Sequence, residues 1–233
     1  MYESTQYWLL ANYKKSSIAQ DESIVSIMKR AIAKLTRQWF KKYDTVAEGL
    51  AKNFVDKSTV NSDFSLKNAF EKIGFTVELK TTDAIDEKIK SSVYENTQLI
   101  KSIPQKYFND LDFIITEGIN RGFDVGYIAD QIKQKYNVTK RRAAFIARDQ
   151  AQKVHSIITV QRQLDLGITK GIWVHSGGGK VPRKSHLKAG RDKLEFDLQK
   201  GAYIDGEYIL PGQKPNCRCT WFAVIPWQLK TAA

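Results

Sequence analysis

Apolar residues recur at three- and four-residue steps from Ile24 onward: Ile27, Met28, Ala31, Leu35 and Trp39, then Val46, Leu50 and Phe54. That spacing describes one face of a helix, and Asp21 stands where an N-cap belongs. The other side carries Lys29, Lys34, Arg37, Lys41, Lys42, Lys52 and Lys57, as a core-facing helix with a solvated polar side would. The pattern fails over 58–83, where Ser58, Asn61, Ser62, Asp63 and Gly74 separate small apolar clusters around Phe64–Leu66 and Phe75–Val77. This stretch predicts a loop, a short helix near 65–73 and a strand at 75–80. It is also the candidate domain boundary, dividing a helical region 1–83 from a domain 84–233.

Helical spacing returns over 84–102 through Ile85, Ile89, Val93 and Ile100, and Pro104 is expected to interrupt it. Phe108, Leu111, Ile115 and Ile119 predict the next helix, with Gly122 at its C-terminal glycine position. Val125, Ile128 and Ile132 predict a short one. Asn137–Thr139 reads as a break, with Thr139 as the N-cap of a basic helix over 139–166 that Gly167 ends. On that helix Ala143, Ile146, Ala147, Gln150, Val154, Ile157, Gln161 and Leu164 line one side. Beyond Gly167 the period shortens. Ile172–Val174 predicts a strand, Tyr203–Ile209 a hairpin turning on Asp205-Gly206, and Cys217–Ile225 a final strand closed by Pro226. The expected fold class is α+β, a mainly helical N-terminal region followed by a small C-terminal part with short antiparallel strands.

Charge changes this picture more than composition does. The 233 residues hold 37 Lys+Arg and 25 Asp+Glu, a net charge of +12. Residues 1–130 carry 18 basic and 18 acidic side chains, whereas 131–200 carry 16 and 5. Excess positive charge of this size calls for an acidic partner such as nucleic acid or an acidic protein surface. No stretch reaches the roughly 20 apolar residues of a membrane span, and no secretory signal is expected at Met1–Tyr13. Two cysteines cannot build a disulfide framework.

Three groupings carry candidate chemistry. Arg141, Arg142, Arg148, Lys153 and Arg162 on the basic helix are the residue types that neutralise phosphates without reading sequence. A solvated helix face with local pairs such as Asp149–Lys153 accounts for them equally well. The loop Gly177–His186 adds Lys180, Arg183, Lys184 and Lys188. It lacks the GxxxxGK[ST] spacing and no helix clearly follows it, so a flexible basic loop is expected rather than a nucleotide site. His186, Cys217 and Cys219 could supply three zinc ligands, completed by His175 or Asp192. The simpler reading is two small buried thiols on a strand and a hydrogen-bonded histidine. No cofactor is expected, zinc being the ion these residues would suit.

Taken in order, Ile146-Ala147-Arg148-Asp149-Gln150, Arg183 with His186, and Asn216-Cys217-Arg218-Cys219 resemble the phage head morphogenesis proteins of the Mu F-like (MuF) minor head protein family. Arg148, Asp149, Gln150, His186, Cys217, Arg218 and Cys219 are the motif positions, and the resemblance spans about 115–225. It implies a minor capsid protein of a tailed bacteriophage, a component of the virion made in the host cytoplasm and carried in the capsid interior near the portal vertex. It implies a part in head assembly and in packaging, retention or ejection of DNA. The implied partners are the portal protein, double-stranded DNA bound without sequence preference, and a major capsid or scaffolding protein, with no membrane. The neutral helical region would dock on the portal or head, and the cationic part would face DNA. The resemblance assigns no catalytic residue, so no enzyme is expected. Family members commonly place an acid before the R-x-x-H element, and Ser176–Lys180 has none. The alternative is a metal-assisted nuclease or toxin-like transferase domain carried by a virion protein; a third reading is a plain cellular nucleic-acid-binding module.

Overall fold

The computed structural model describes residues 1–16, 24–121, 125–178 and 181–226. Four helices lead: α1 (Tyr2–Ser16), α2 (Ile24–Glu71), α3 (Asp83–Asn120) and α4 (Val125–Asp165). Strand β1 (Lys170–Val174), helix α5 (Lys184–Arg191), and strands β2 (Glu195–Asp197), β3 (Ala202–Ile204), β4 (Glu207–Ile209) and β5 (Thr220–Val224) follow. The class is α+β, with the helices first and the short antiparallel strands last.

The chain packs into two compact units, each built from two segments: Met1–Ala51 with Tyr94–Ile146, and Lys52–Val93 with Ala147–Ala233. The first is helical. Met28, Ile32 and Leu35 of α2 pack with Tyr107, Phe108, Leu111 and Ile115 of α3 and Ile128 and Ile132 of α4. Burial pushes the Tyr107 hydroxyl up to about 12. At its polar margin Lys135 pairs with Asp110 at 2.7 Å and Lys101 with Asp44 at 3.0 Å.

In the second unit, helical segments cover a sheet of order β2–β1–β5, antiparallel throughout, with Trp173 opposite Trp221 and Gly171 opposite Phe196. Leu66, Phe70, Val160, Trp173, Phe196, Leu198 and Trp221 share one core, and Val55, Val154 and Ile158 a smaller one with Phe54 and Ile89 packed on it. The β3–β4 hairpin turns on Asp205 (φ 54°) and Gly206 (φ 85°), the two positive φ values that a tight primed turn requires.

Three expected interruptions are absent. Residues 58–71 are helix, because their polar side chains find partners in α4 and in the preceding turn. Ser62 Oγ donates to the Ser58 carbonyl at 2.8 Å and lies 2.9 Å from His155 Nδ1. Asp63 takes Arg162. Pro104 lies inside α3; the turn bears the loss of one backbone donor. Asn137–Thr139 is likewise continuous helix, so the basic helix predicted at 139–166 runs 125–165, and Thr139 Oγ1 donates back to the Lys135 carbonyl at 3.0 Å instead of capping. Phe75, Val77 and Leu79 do alternate against the core, but they are not in a strand: the period is right and no ladder partner is present among the described residues. Gly167 (φ 77°) ends α4 as expected, its N–H bonding the Leu164 carbonyl at 2.9 Å. The caps read at Asp21 and Gly122 lie outside the described residues.

Two left-handed glycines separate backbone strain from packing. Gly74 (φ 84°) has nothing within 4 Å of where a Cβ would stand, whereas at Gly201 (φ 91°) that carbon would lie 2.8 Å from the Ile209 carbonyl oxygen. Gly74→Ala should cost about 1 kcal/mol, the left-handed penalty alone. Gly201→Ala should cost about 2 kcal/mol more, because a backbone atom cannot step aside. Urea unfolding of the full chain measures both, and equal losses would contradict the placement of β4 over Gly201.

Candidate functional site

Asp149, Ser156 and Gln163 are seven residues apart on α4, so they fall on one helix face. Each bonds the returning C-terminal chain. Asp149 Oδ1 accepts the Asn216 N–H at 2.6 Å. Ser156 Oγ donates to the Pro211 carbonyl at 2.6 Å. Gln163 Oε1 accepts the Trp221 indole N–H at 2.7 Å. Asn216 adopts φ 62°, a left-handed conformation that asparagine tolerates better than most residues. The Cys217 N–H closes a turn onto the Lys214 carbonyl at 2.9 Å. The loop 210–219 is therefore laid along α4 before it enters β5, and the two motif segments around Asp149 and Asn216 are in direct contact.

That loop carries Cys217 and Cys219 to His186 of α5. The thiols are not on a strand as expected; they precede it, and a helix does follow the glycine-rich loop. All three residues are buried, at 3% exposure for His186, 5% for Cys217 and 2% for Cys219. His186 Nδ1 is 3.5 Å from Cys217 Sγ and 3.7 Å from Cys219 Sγ, and the three ligand atoms lie within 4.8 Å of one another. The thiols are free. Hydrogen bonding from the Cys219 thiol pulls the Cys217 thiol down against the effect of burial, assisted by the Cys219 and Gly212 backbone N–H groups and by the charge of His186. Cys219 is pushed up because its proton is held on Cys217 and because it is buried. The Trp173 ring packs edge-on against His186 at 5.2 Å. His175 and Asp192, weighed as further ligands, are engaged elsewhere: His175 Nδ1 accepts the Gly177 N–H at 3.0 Å, and Asp192 takes Lys188 at 2.7 Å.

The candidate phosphate contacts separate. Arg148, Arg183, Lys184 and Lys188 are exposed on the second unit. Arg183 donates to the Pro215 carbonyl at 3.0 Å, one residue from the amide that Asp149 holds. Cations of α4 and of the α5 N-terminus thus flank one loop, with exposed Arg218 on the loop itself. Lys153 is half-buried, 4.0 Å from Asp149. Arg162 is no phosphate ligand: it is buried at 6% exposure, pairs bidentately with Asp63 at 2.9 and 2.8 Å, and donates to the Lys80 carbonyl. Arg141 and Arg142 belong to the first unit, where Arg142 Nε is buried without a hydrogen-bond partner among the described residues. Lys180 lies outside the described residues. Folding also redistributes the charge. The first unit holds 16 basic and 11 acidic side chains and the second 21 and 14, so both are cationic and the neutral region read over 1–130 is not a structural body.

Burial lowers the pKa of His155 below the ordinary histidine value and keeps the ring neutral. With the Ser62 proton directed at Ser58, His155 Nδ1–H is the donor to Ser62 Oγ. Sequence reading overlooked Asp63, Ser156, Gln163 and this histidine. The seven-residue recurrence of Asp149, Ser156 and Gln163 was the available signal.

Residues 109–222 match the sequence profile of the family described as "Phage Mu protein F like protein". An uncharacterized protein of Haemophilus influenzae is 30% identical over 205 residues, which is 86% of this chain and 44% of that protein. The chain thus spans less than half the length of this curated relative. No solved structure matches.

If Asp149 positions the loop, Asp149→Ala should cost about 2 kcal/mol, the worth of a charge-assisted hydrogen bond. Local opening should then speed modification of Cys217 and Cys219 by a thiol reagent about tenfold or more. An unchanged modification rate in the folded variant would contradict this role.

Proposed function

We infer the role from family and geometry together: over residues 109–222 the chain belongs to the Phage Mu protein F like family, whose place is in phage head morphogenesis, and its exposed cations suit packaged DNA. In this reading the protein is a minor component of the head, inside the capsid near the portal vertex, and contacts double-stranded DNA during packaging, retention or ejection. The observation that supports the DNA contact is that Arg183 donates to the Pro215 carbonyl of the 215–218 loop, while exposed Arg148 neighbours Asp149, which holds that loop, and exposed Lys184 and Lys188 lie on the short helix that Arg183 leads into. Such cations neutralise phosphates and carry no base readout, so binding is indifferent to sequence.

The portal, or a neighbouring capsid or scaffolding protein, is the second partner. The first unit supports that reading through the exposed Tyr7, Val46, Tyr94 and Phe113, which a protein partner would cover. The proposed role is non-enzymatic: the chain binds and positions.

Titration of the full chain against a labelled duplex of arbitrary sequence tests the DNA contact. Affinity should fall linearly with salt on logarithmic axes, with a slope of about −0.9 per phosphate neutralised. An R148A/R183A/K184A/K188A variant should flatten that slope by up to about 3.6 and weaken binding by at least about tenfold. Binding that keeps its slope in this variant would defeat the proposed surface. Nicking of supercoiled DNA by the wild-type chain would defeat the non-enzymatic role.

A further inference from the structure

The sulfur and nitrogen atoms around His186 stand at the spacing that ligands of one ion would have. The imidazole Nδ1 has a single in-plane lone pair or a single N–H, which satisfies one sulfur. Here two sulfurs stand nearly equidistant from it, at 3.5 and 3.7 Å. A tetrahedral ion with Zn–S of about 2.3 Å and Zn–N of about 2.0–2.1 Å places each sulfur about 3.5–3.6 Å from the nitrogen. The two observed N–S distances match the N–S edges of that tetrahedron. All three donors are buried and lie within 4.8 Å of one another.

We propose that His186 Nδ1, Cys217 Sγ and Cys219 Sγ are three ligands of a zinc ion that clips α5 to the loop before β5, with a solvent-sized donor in the fourth place. Two thiolates and an imidazole are the soft and borderline donors that zinc takes. Binding replaces two thiol protons, which leave to solvent. The surroundings argue for a structural ion. The His186 ring packs edge-on against Trp173, the Trp173 side chain also interacts with the Cys219 thiol, and no carboxylate joins the group among the described residues. The ligands come from chain segments 31 residues apart, so the ion would add a direct link between α5 and the loop before β5. This inference does not depend on DNA binding.

The test is metal content and cobalt exchange on the untagged full chain. About one zinc per chain is expected after purification without chelator, falling to background in C217S, C219S and H186Q. Wild-type protein stripped of metal and reloaded with Co²⁺ alone should show thiolate-to-cobalt charge-transfer absorption and the intense visible bands of a tetrahedral site, and Zn²⁺ should displace them. The reloading needs no variant, so a variant that fails to fold does not remove the test. Folded wild-type chain that carries no zinc and yields no charge-transfer band with Co²⁺ would overturn the proposal.

Discussion

One helix face organises the second unit. Asp149, Ser156 and Gln163 present an acceptor, a donor and an acceptor at seven-residue intervals, and the returning chain answers with the Asn216 N–H, the Pro211 carbonyl and the Trp221 indole. These bonds anchor the loop between Pro211 and Trp221 to α4, and the Arg183 bond to the Pro215 carbonyl and the Cys217–Lys214 turn complete its placement. A buried side-chain hydrogen bond contributes about 1 kcal/mol net, but losing one partner leaves the other buried and unsatisfied at a larger cost. The stripe therefore specifies a register as well as contributing stability. The opposite problem, a buried cation on the same helix, is met by Asp63, which grips Arg162 with both oxygens. Removing one side of such a pair costs far more than the pair contributes.

This arrangement explains which features were legible in the sequence. Local signals survived: Asp205-Gly206 forms the hairpin, Gly167 ends α4, and Ile172–Val174 lies within β1. These depend on backbone preference within a few residues. Ser58, Asn61, Ser62 and Asp63 read as loop formers because alone they compete with helical backbone bonds. Asp63 instead binds Arg162, 99 residues away, and Ser62 lies against His155, 93 residues away. Tertiary partners overrode propensity, and no local window contains them. The same reasoning misassigned Arg162: its type suggests phosphate, and only the fold shows it committed inside.

The candidate site was half legible. His186, Cys217 and Cys219 were singled out by residue type, but the short CxC spacing gave no reason to bring the histidine near. That required α5, which the glycine-rich stretch concealed, and the docked loop. Charge behaved similarly. Excess of +12 is a property of the chain, and the run over 131–200 suggested one cationic half. Because both units are assembled from two segments, the cations divide between them, and a subset near one loop carries the argument for DNA.

Residues 109–222 match the Phage Mu protein F like family, and the second unit carries exposed cations. A reconstruction of a mature phage head assembled with this chain, calculated without imposed symmetry, tests the proposed role most directly. The account predicts density for this chain inside the shell at the portal vertex, with Arg148, Arg183 and Lys184 turned to the DNA. Density on the outer surface of the head, or that loop turned away from the DNA, would contradict it.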